Sequence, residues 1–464
     1  MTKKIVWGIL NIFFIGVFVS ALWVLFFNKG GFNDEKIVAE SQLKGKTFAA
    51  VPVEITLKNG VRAWFIEENS APLVALDFYF DKAGYAFDDE SEQGLAVFVS
   101  SVLLKRAGDM DDESFQNLLN ENAIDIKVKV LDDIFEISAT APKNHLDIAA
   151  KMLNAMLTEP NTNENDAEVT KRRQITQIDM QDENPETVLT QRFKERLFLN
   201  HPKARFSLGT KETVATFSGK HVKDFTDKHF KTNNLKIALA GDVSQEEAVF
   251  FLDKVFEGLT SGTDEKDLPP LTVNFDAKEE NIERDIPQVI SFFAAPGAAR
   301  LDEDFYPLYM ANEIFGASGL SSRLNVHARE KEGLTYGVYT YLDTDKDAPR
   351  IVGTFSSSVE NYEKMRAILL DEWRKMALNG VTKQEFETIK NSMLSAFHLR
   401  FSSLSSIAKQ LLFMQKENLG LDFFQKRNAY VSNIGFEAVN AAAKKYFVNK
   451  PSILTIGNND NGEK

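Results

Sequence analysis

Cysteine is absent from the 464-residue chain, and histidine occurs only six times. Without cysteine the protein can form no disulfide bond and can use no thiolate as a nucleophile or metal ligand. The histidines are scattered, and no two of them are three or four residues apart. A helix that offers two histidines to one metal ion is therefore excluded. The six are His145, His201, His221, His229, His327 and His398.

The excess of acidic residues narrows the choice of partners. Sixty-seven Asp and Glu residues against 54 Lys and Arg residues give a formal net charge of −13. This charge argues against nucleic acid and against a broadly anionic membrane surface as partners. It would favour basic peptides, although acidity also commonly serves solubility. With 44 % hydrophobic and 26 % charged residues the composition is that of a globular protein, and the length predicts two or more domains.

The longest apolar segment lies at the N-terminus. Residues 5–27 are almost entirely apolar, which suffices for the roughly 20 residues of a membrane-spanning helix. Two lysines precede it and should stay in the cytoplasm, which would put the body on the periplasmic side of a bacterial inner membrane. We therefore predict a signal anchor over residues 1–28 and a linker over 29–47. The alternative is a signal peptide cleaved after the small residues at 19–21, which would leave a soluble periplasmic protein.

Beyond the linker, one order of strands and helices occurs twice. Alternating apolar residues and Gly-containing turns predict strands and hairpins in each half, with amphipathic helices between them. The second series repeats the first in kind and spacing, which indicates a duplicated unit. The predicted strands and hairpins are, in chain order, 53–66, 75–80, 124–140, 236–242, 289–293, 336–356 and 452–457.

This pattern predicts an α+β protein with two homologous α/β domains of about 200 residues each. Each domain should contain a mainly antiparallel sheet packed with helices, and the membrane-spanning helix should precede the first. We assign the domains to residues 48–258 and 277–460. The connector, residues 259–276, contains acidic residues and a Pro-Pro pair that favour a loop.

A predicted helix over residues 94–106 reads G-L-A-V-F-V-S-S-V-L-L-K-R. Val97, Ser100 and Ser101 share one face of it, because they stand at i, i+3 and i+4. The flanking residues resemble the active-site helix of the pitrilysin/insulinase family of zinc peptidases. In that family these positions carry the His, Glu and His of an H-x-x-E-H motif, which hold the metal and supply the general base.

The resembled family has one further zinc ligand, a glutamate on a helix downstream. The matching stretch of this chain places Gln177 at that position and Thr170 at the position of an earlier acidic residue. Valine cannot bind zinc, and Ser and Gln are poor ligands beside His or a carboxylate. We therefore expect no metal or other cofactor in this chain and no peptidase activity of its own.

The second half keeps a different motif of the same family. Residues 316–324 read G-A-S-G-L-S-S-R-L and residues 329–336 read R-E-K-E-G-L-T-Y, which resembles the family's C-domain signature. In the family, the Arg and Tyr of this signature reach the zinc site of a facing domain, hold the substrate backbone and stabilise the oxyanion. The resemblance assigns these roles to Arg329 and Tyr336, both good donors to a carbonyl that gains negative charge. The structural alternative makes Arg329 an ion-pair partner and Tyr336 a core aromatic.

The resemblance implies a function shared between two subunits. Some members of the family are heterodimers in which one subunit carries the zinc helix and the other only the Arg and Tyr. This chain would then be a non-catalytic subunit, with zinc held by a homologous partner that cleaves peptides or unfolded polypeptides. One alternative is an inert scaffold or assembly subunit of the same fold. Another is a hydrolase that uses Ser100 or Ser101, but no His-Asp arrangement accompanies these serines in the sequence.

Overall fold

The computed structural model describes residues 51–263, 266–276 and 278–458. The predicted signal anchor and linker lie outside the described residues. Within the described part, every helix is too short or too polar to cross a membrane.

The first half contains a six-stranded sheet, called the first sheet, with strand order β1-β2-β6-β3-β5-β4. Neighbouring strands are antiparallel except β2 and β6, which are parallel. The strands are β1 (Val53–Thr56), β2 (Arg62–Glu67), β3 (Leu73–Asp81), β4 (Asp125–Val130), β5 (Ile134–Pro142) and β6 (Leu235–Gly241). The helices are α1 (Leu95–Leu103), α2 (Asp112–Glu121), α3 (Leu146–Thr158), α4 (Glu164–Glu183), α5 (Pro185–Phe198), α6 (Lys211–Ala215), α7 (Gly219–His229) and α8 (Gln245–Val255).

The second half contains a five-stranded sheet, called the second sheet, with strand order β7-β11-β8-β10-β9. Its strands are β7 (Glu279–Ile282), β8 (Gln288–Pro296), β9 (Thr335–Asp343), β10 (Arg350–Ser358) and β11 (Ser452–Ile456). Its helices are α9 (Phe305–Asn312), α10 (Tyr362–Asn379), α11 (Lys383–Ala396), α12 (Leu404–Lys416), α13 (Phe423–Asn433) and α14 (Phe436–Tyr446).

The two sheets have the same topology. The order β2-β6-β3-β5-β4 of the first sheet corresponds strand by strand to β7-β11-β8-β10-β9 of the second, and the pairs β2–β6 and β7–β11 are parallel. The prediction of two mainly antiparallel sheet-plus-helix domains is confirmed. Strand β7 was not predicted, because its sequence E-E-N-I is polar and lies at a sheet edge with three exposed residues.

Each half has its own apolar core between its sheet and its helices. In the first core, Phe80 of β3 stacks on Phe230 with ring centres 4.4 Å apart. In the second core, the ring centres of Trp373, on α10, and Phe447 are 4.5 Å apart. Burial of one such side chain contributes about 1.5–3 kcal/mol, so the cores dominate the stability of both halves.

One helix of each half packs on the sheet of the other half. Helix α5 lies on the second sheet, where the rings of Phe193 and Phe292 are 6.1 Å apart. Helix α12 lies on the first sheet, and its Gln415 donates a hydrogen bond to the Ile237 carbonyl of β6 at 2.7 Å. Because both faces of the first sheet are covered, β3 reads as a nearly continuous apolar run. The buried apolar residues under α12 include Ile66, Ala75, Tyr79, Ala238 and Ala240.

A buried ion pair also joins the halves. The Lys203 ammonium of the first half lies 2.7 Å and 2.9 Å from the two Asp345 carboxylate oxygens in the β9–β10 turn. Both side chains are less than a tenth exposed. Arg350 stands at the end of the same turn. Its guanidinium carbon lies 4.9 Å from the centre of the Phe198 ring of α5, and its guanidinium donates a hydrogen bond to the Asp343 carboxylate.

Candidate functional site

Helix α1 is held at its N-terminus by a buried carboxyl group and a glycine. The Asp88 side chain accepts hydrogen bonds from the Gly94 and Ala96 amides at 2.9 Å and 3.1 Å. Burial raises the pKa of Asp88 to about 8, although these backbone donors act to lower it. Gly94 has φ +92°, and an added Cβ would overlap the Leu208 carbonyl. The G-L-A sequence that begins the helix therefore has a steric reason.

Helix α4 is attached to the same end of α1 by Gln174. Its buried side-chain amide donates to the Gly94 carbonyl at 3.0 Å and to the Leu208 carbonyl at 2.9 Å. Gln177 lies three residues further along α4, close to one helical turn, and is exposed. The helix that carries the fourth position of the expected zinc site is thus attached to the N-terminus of the helix that carries the other three.

The four positions carry no group that suits zinc. Val97 is half-buried against the first core, and the Ser100 hydroxyl donates to the Val97 carbonyl at 2.7 Å. Ser101 and Gln177 are exposed neutral side chains. Across the described ranges, no three His, Asp or Glu side chains are grouped so that they could hold a metal ion. The zinc of active members of the resembled family therefore does not fit the residues present.

The serines are not arranged for nucleophilic catalysis. The Ser100 hydroxyl is engaged with the backbone of its own helix, a common local contact of serine in helices. In the part of the chain that the structure describes, neither Ser100 nor Ser101 forms a hydrogen bond with a histidine. A nucleophilic serine needs such a base, so the geometry gives no support to the hydrolase alternative.

In the second half, a π-helical turn over Asn325–Lys331 carries Arg329 and leads to β9. The buried Asn325 side chain donates to the Val338 carbonyl at 2.7 Å and accepts from the Val338 amide at 3.0 Å. It thereby fixes the turn against the edge strand of the second sheet. Arg329 follows Asn325 by one turn and is exposed.

Tyr336 lies in a β-bulge. Thr335 pairs with Ser357 and Val338 pairs with Phe355, so two residues of β9 oppose a single residue of β10 between these pairs. The Thr335 hydroxyl secures the bulge, since it donates to the Ser356 carbonyl at 2.7 Å. A bulge re-aims the side chain that it contains. The Tyr336 side chain is 67 % exposed.

The structural alternative for this pair does not describe what is observed. Tyr336 lies outside the core, and within the described residues the Arg329 guanidinium forms no ion pair and no side-chain hydrogen bond. Both donors are therefore available to a molecule outside this chain. Their role toward a substrate remains a prediction.

The neighbouring Arg323 of the S-R-L motif has a different task. Its guanidinium bonds both carboxylate oxygens of Glu385, at 2.6 Å and 2.7 Å, and the Gly380 carbonyl at 3.1 Å. Burial acts to raise the pKa of Glu385, but Arg323 and Thr382 outweigh it and the pKa is lowered. Arg323 thus anchors the Gly-rich loop to the start of α11, and it does not point at a ligand.

Three residues that shape these sites carry no motif of their own. An acidic residue shortly before a helix is a capping signal and could have indicated Asp88. Gln174 and Asn325 find partners 80 and 13 residues away, and sequence periodicity gives no sign of either contact.

Two family models match this chain. The model described as Insulinase (Peptidase family M16) matches residues 65–211, and the model described as Peptidase M16 inactive domain matches residues 216–393. Together they cover well over half of the chain. The protein belongs to the M16 (insulinase) family. The resemblance drawn from α1 and from residues 316–336 is thereby confirmed.

Individual relatives agree with the M16 assignment. The "Non-peptidase homolog YmxG" of Helicobacter pylori is 26 % identical over 327 residues, which cover 70 % of this chain and 75 % of that protein. Among solved structures, the peptidase M16 inactive domain from Pseudomonas fluorescens has a TM-score of 0.81 at 23 % identity and covers 88 % of this chain and 98 % of its own. A chain of Complex III2 from Candida albicans has a TM-score of 0.71 at 15 % identity, and the match covers 87 % of this chain and 95 % of that chain. These structures share the fold.

Proposed function

We propose that this M16 protein is the non-catalytic subunit of a two-subunit peptidase. In this proposal it supplies Arg329 and Tyr336 to a peptide bound at the zinc site of a homologous partner, and it has no activity alone. The observation that carries the proposal is the exposure of this pair on a fixed frame, in a chain whose four zinc positions hold no ligand. The names of two relatives, a non-peptidase homologue and an inactive domain, support the non-catalytic half of the proposal.

The two side chains suit different parts of the reaction. The Arg329 guanidinium would hold a substrate carbonyl in both the ground state and the transition state. The Tyr336 hydroxyl would donate to the oxyanion that forms when the partner's zinc-bound water attacks. Asn325 and the β9 bulge hold the backbone that carries both donors, which would reduce the reorganisation that the reaction requires.

The test begins with purification of the tagged chain and mass-spectrometric identification of the companion. In the reconstituted complex, Tyr336→Phe should lower kcat by about 10²–10³ because one oxyanion donor is lost. Arg329→Ala should raise KM and lower kcat/KM with little change in kcat, because its contact exists in both states. Tyr430→Phe is the matched control, since Tyr430 is a 48 % exposed tyrosine on α13. Peptide cleavage indifferent to Tyr336→Phe would refute the proposal.

The second candidate is a scaffold without any peptidase role. The likeness to a chain of Complex III2 from Candida albicans favours it, since that chain has this fold within a complex. A scaffold predicts a stable complex that lacks peptidase activity, or one whose activity does not change in either variant. The response of peptidase activity to the two variants separates the candidates. Gel filtration is the control, because both variants should assemble normally in each case.

We also propose that the protein is anchored in the bacterial inner membrane through residues 5–27, with its body in the periplasm. The support is the apolar length of this segment and the two lysines before it. Protease added to spheroplasts should then digest the body while the inner membrane remains closed. Protection of the body under these conditions would contradict the orientation, and a mature N-terminus at residue 22 would show a cleaved signal peptide.

A further inference from the structure

The π-helical turn that carries Arg329 makes a second polar contact, this time with helix α10. The Nδ1 atom of His327 lies 3.0 Å from Oε1 of Glu372. An ionised carboxyl group only accepts hydrogen bonds, so the imidazole is the donor in this contact. The His327 side chain is 31 % exposed, whereas that of Glu372 is 9 % exposed. The contact thus joins a partly exposed side chain of the turn to a buried group of α10.

Glu372 is a firmly held acceptor. Helix α10 packs into the second core through Leu369, Trp373 and Met376, all of which are buried. The Oε1 atom of Glu372 also accepts a hydrogen bond from the Lys375 ammonium, at 2.7 Å. A buried carboxylate that is bonded within such a network has little freedom to move. It can therefore hold the imidazole of the turn in one place.

The placement of Arg329 depends on the backbone of this turn. π-Helical turns are rare, occur mostly as single turns and are frequent at functional sites. Within the described residues the Arg329 guanidinium forms no ion pair and no side-chain hydrogen bond, so only the backbone places it. Two earlier side chains of the turn, Asn325 and His327, are hydrogen-bonded to other elements. His327 is the nearer of the two to Arg329.

The turn has one more contact with α10, and that contact is weaker. Glu332, directly after the turn, pairs with Lys364 at 2.5 Å, and the two side chains are 35 % and 59 % exposed. Exposed ion pairs contribute little, because water and salt screen them. A hydrogen bond to a buried charged acceptor contributes more, since its loss leaves that acceptor less well satisfied. The Glu332 pair therefore does not replace the His327 contact.

We propose that His327 is a positioning residue for Arg329. The two residues stand two positions apart, so they face different sides of the turn. The imidazole is bonded to α10, while the guanidinium stays exposed toward a peptide. His327 holds the turn from the side of α10, and Asn325 holds it from the side of β9. This inference rests on the proposed peptidase role, because that role gives Arg329 its ligand.

Hydrogen–deuterium exchange in the isolated full-length protein tests whether His327 holds the turn. The amides of Gly333 and Leu334 close the turn by bonding the Arg329 and Ala328 carbonyls. His327→Leu removes the donor to Glu372 and should speed exchange of these two amides about tenfold. His327→Gln keeps an N–H donor and should largely restore the wild-type rate. Circular dichroism checks that the variants are folded.

Kinetics of the reconstituted complex test whether His327 acts through Arg329. His327→Leu should raise KM about tenfold with little change in kcat, which is the pattern expected for loss of the Arg329 contact. In an Arg329→Ala background, His327→Leu should have no further effect, because two residues that act through one contact are not additive. His327→Gln should restore most of the affinity. Lys364→Gln, which removes only the exposed pair with Glu332, is the matched control and should leave KM unchanged.

The inference fails if His327→Leu leaves amide exchange in the turn unchanged. It also fails if His327→Leu leaves KM unchanged in a complex that responds to Tyr336→Phe. An equal loss from His327→Leu with and without Arg329 would show a general structural role instead of a positioning one. A complex indifferent to both Tyr336→Phe and Arg329→Ala would refute the proposed function itself, and this inference with it.

Discussion

The two halves share one strand order, but they differ in what their exposed positions can do. In the first half, the buried face of α1 packs into the core through Phe98, Val99 and Val102, while Ser101 on its exposed side has no metal-binding chemistry. In the second half, exposed Arg329 and Tyr336 keep donor groups on a fixed frame. Side chains that pack into the core and side chains that face outward thus lie on different faces of the same elements. The functional groups on the outward face can therefore be lost while the packing persists.

The largest effect is expected at the ion pair between the halves. Lys203→Met should lower the free energy of unfolding by about 3–5 kcal/mol, because it removes the ammonium counter-charge of the buried Asp345 carboxylate. Urea denaturation measures this loss. Lys254→Met removes the exposed pair with Asp147 and should cost at most about 1 kcal/mol. Similar losses in both variants would show that Lys203 does not join the halves.

Helices α5 and α12, each of which packs on the sheet of the other half, should contribute equally to stability. Leu189 of α5 and Leu411 of α12 are both fully buried, each beneath the sheet of the opposite half. Truncation of either to alanine should cost about 2–5 kcal/mol through lost burial and a cavity. Leu378→Ala, at a 66 % exposed position, is the control in the same denaturation experiment. A large loss in the free energy of unfolding for one variant with almost none for the other would show that the two helices do not contribute equally.

Two buried carboxyl groups lie at the contacts of α5 and α12 with the sheets. Asp77 is on β3 and accepts a hydrogen bond from Ser138, and Glu186 is at the start of α5. Burial raises the pKa of each to about 7. The native state therefore keeps both protons longer than the unfolded chain, whose groups titrate near 3.8 and 4.5. Their contribution to stability is complete below pH 4 and is lost as the pH rises through 7.

Glu186→Gln removes one of these titrations. At pH 8 the variant should be more stable than the wild type by about 3 kcal/mol, since one pKa unit corresponds to about 1.4 kcal/mol. At pH 4 the two proteins should be nearly equal. Asp77→Asn tests the other group in the same way. Parallel stability curves for Glu186→Gln and the wild type between pH 4 and pH 8 would contradict the assignment.

The smallest effect is expected from metal removal. A chelator should leave the Tm of the isolated protein unchanged, because Val97, Ser100, Ser101 and Gln177 cannot hold zinc. Metal analysis that finds one tightly held zinc per chain would overturn this expectation. Placing His, Glu, His and Glu at these positions tests whether the frame of the first half can still form a metal site. The groups that orient such ligands are a further requirement.

Much of the fold could be predicted from the residues themselves. The hairpins at 53–66 and 124–140 became β1–β2 and β4–β5, since alternation of apolar residues reports directly which face of a strand is buried. Strand β7 escaped prediction because an exposed edge strand needs no apolar face. Helices α5 and α12 have ordinary amphipathic patterns, and nothing in such a pattern says which sheet the helix will cover.

The sequence by itself determined the family, the duplication and the loss of the zinc ligands, because each depends on residue identities at fixed spacings along the chain. Only the tertiary structure decided the rest. It placed Lys203 beside Asp345, set His327 against Glu372, and left Arg329 and Tyr336 exposed instead of packed. These features depend on side chains far apart in the chain, and their burial and charge are set by neighbours that only the folded arrangement supplies.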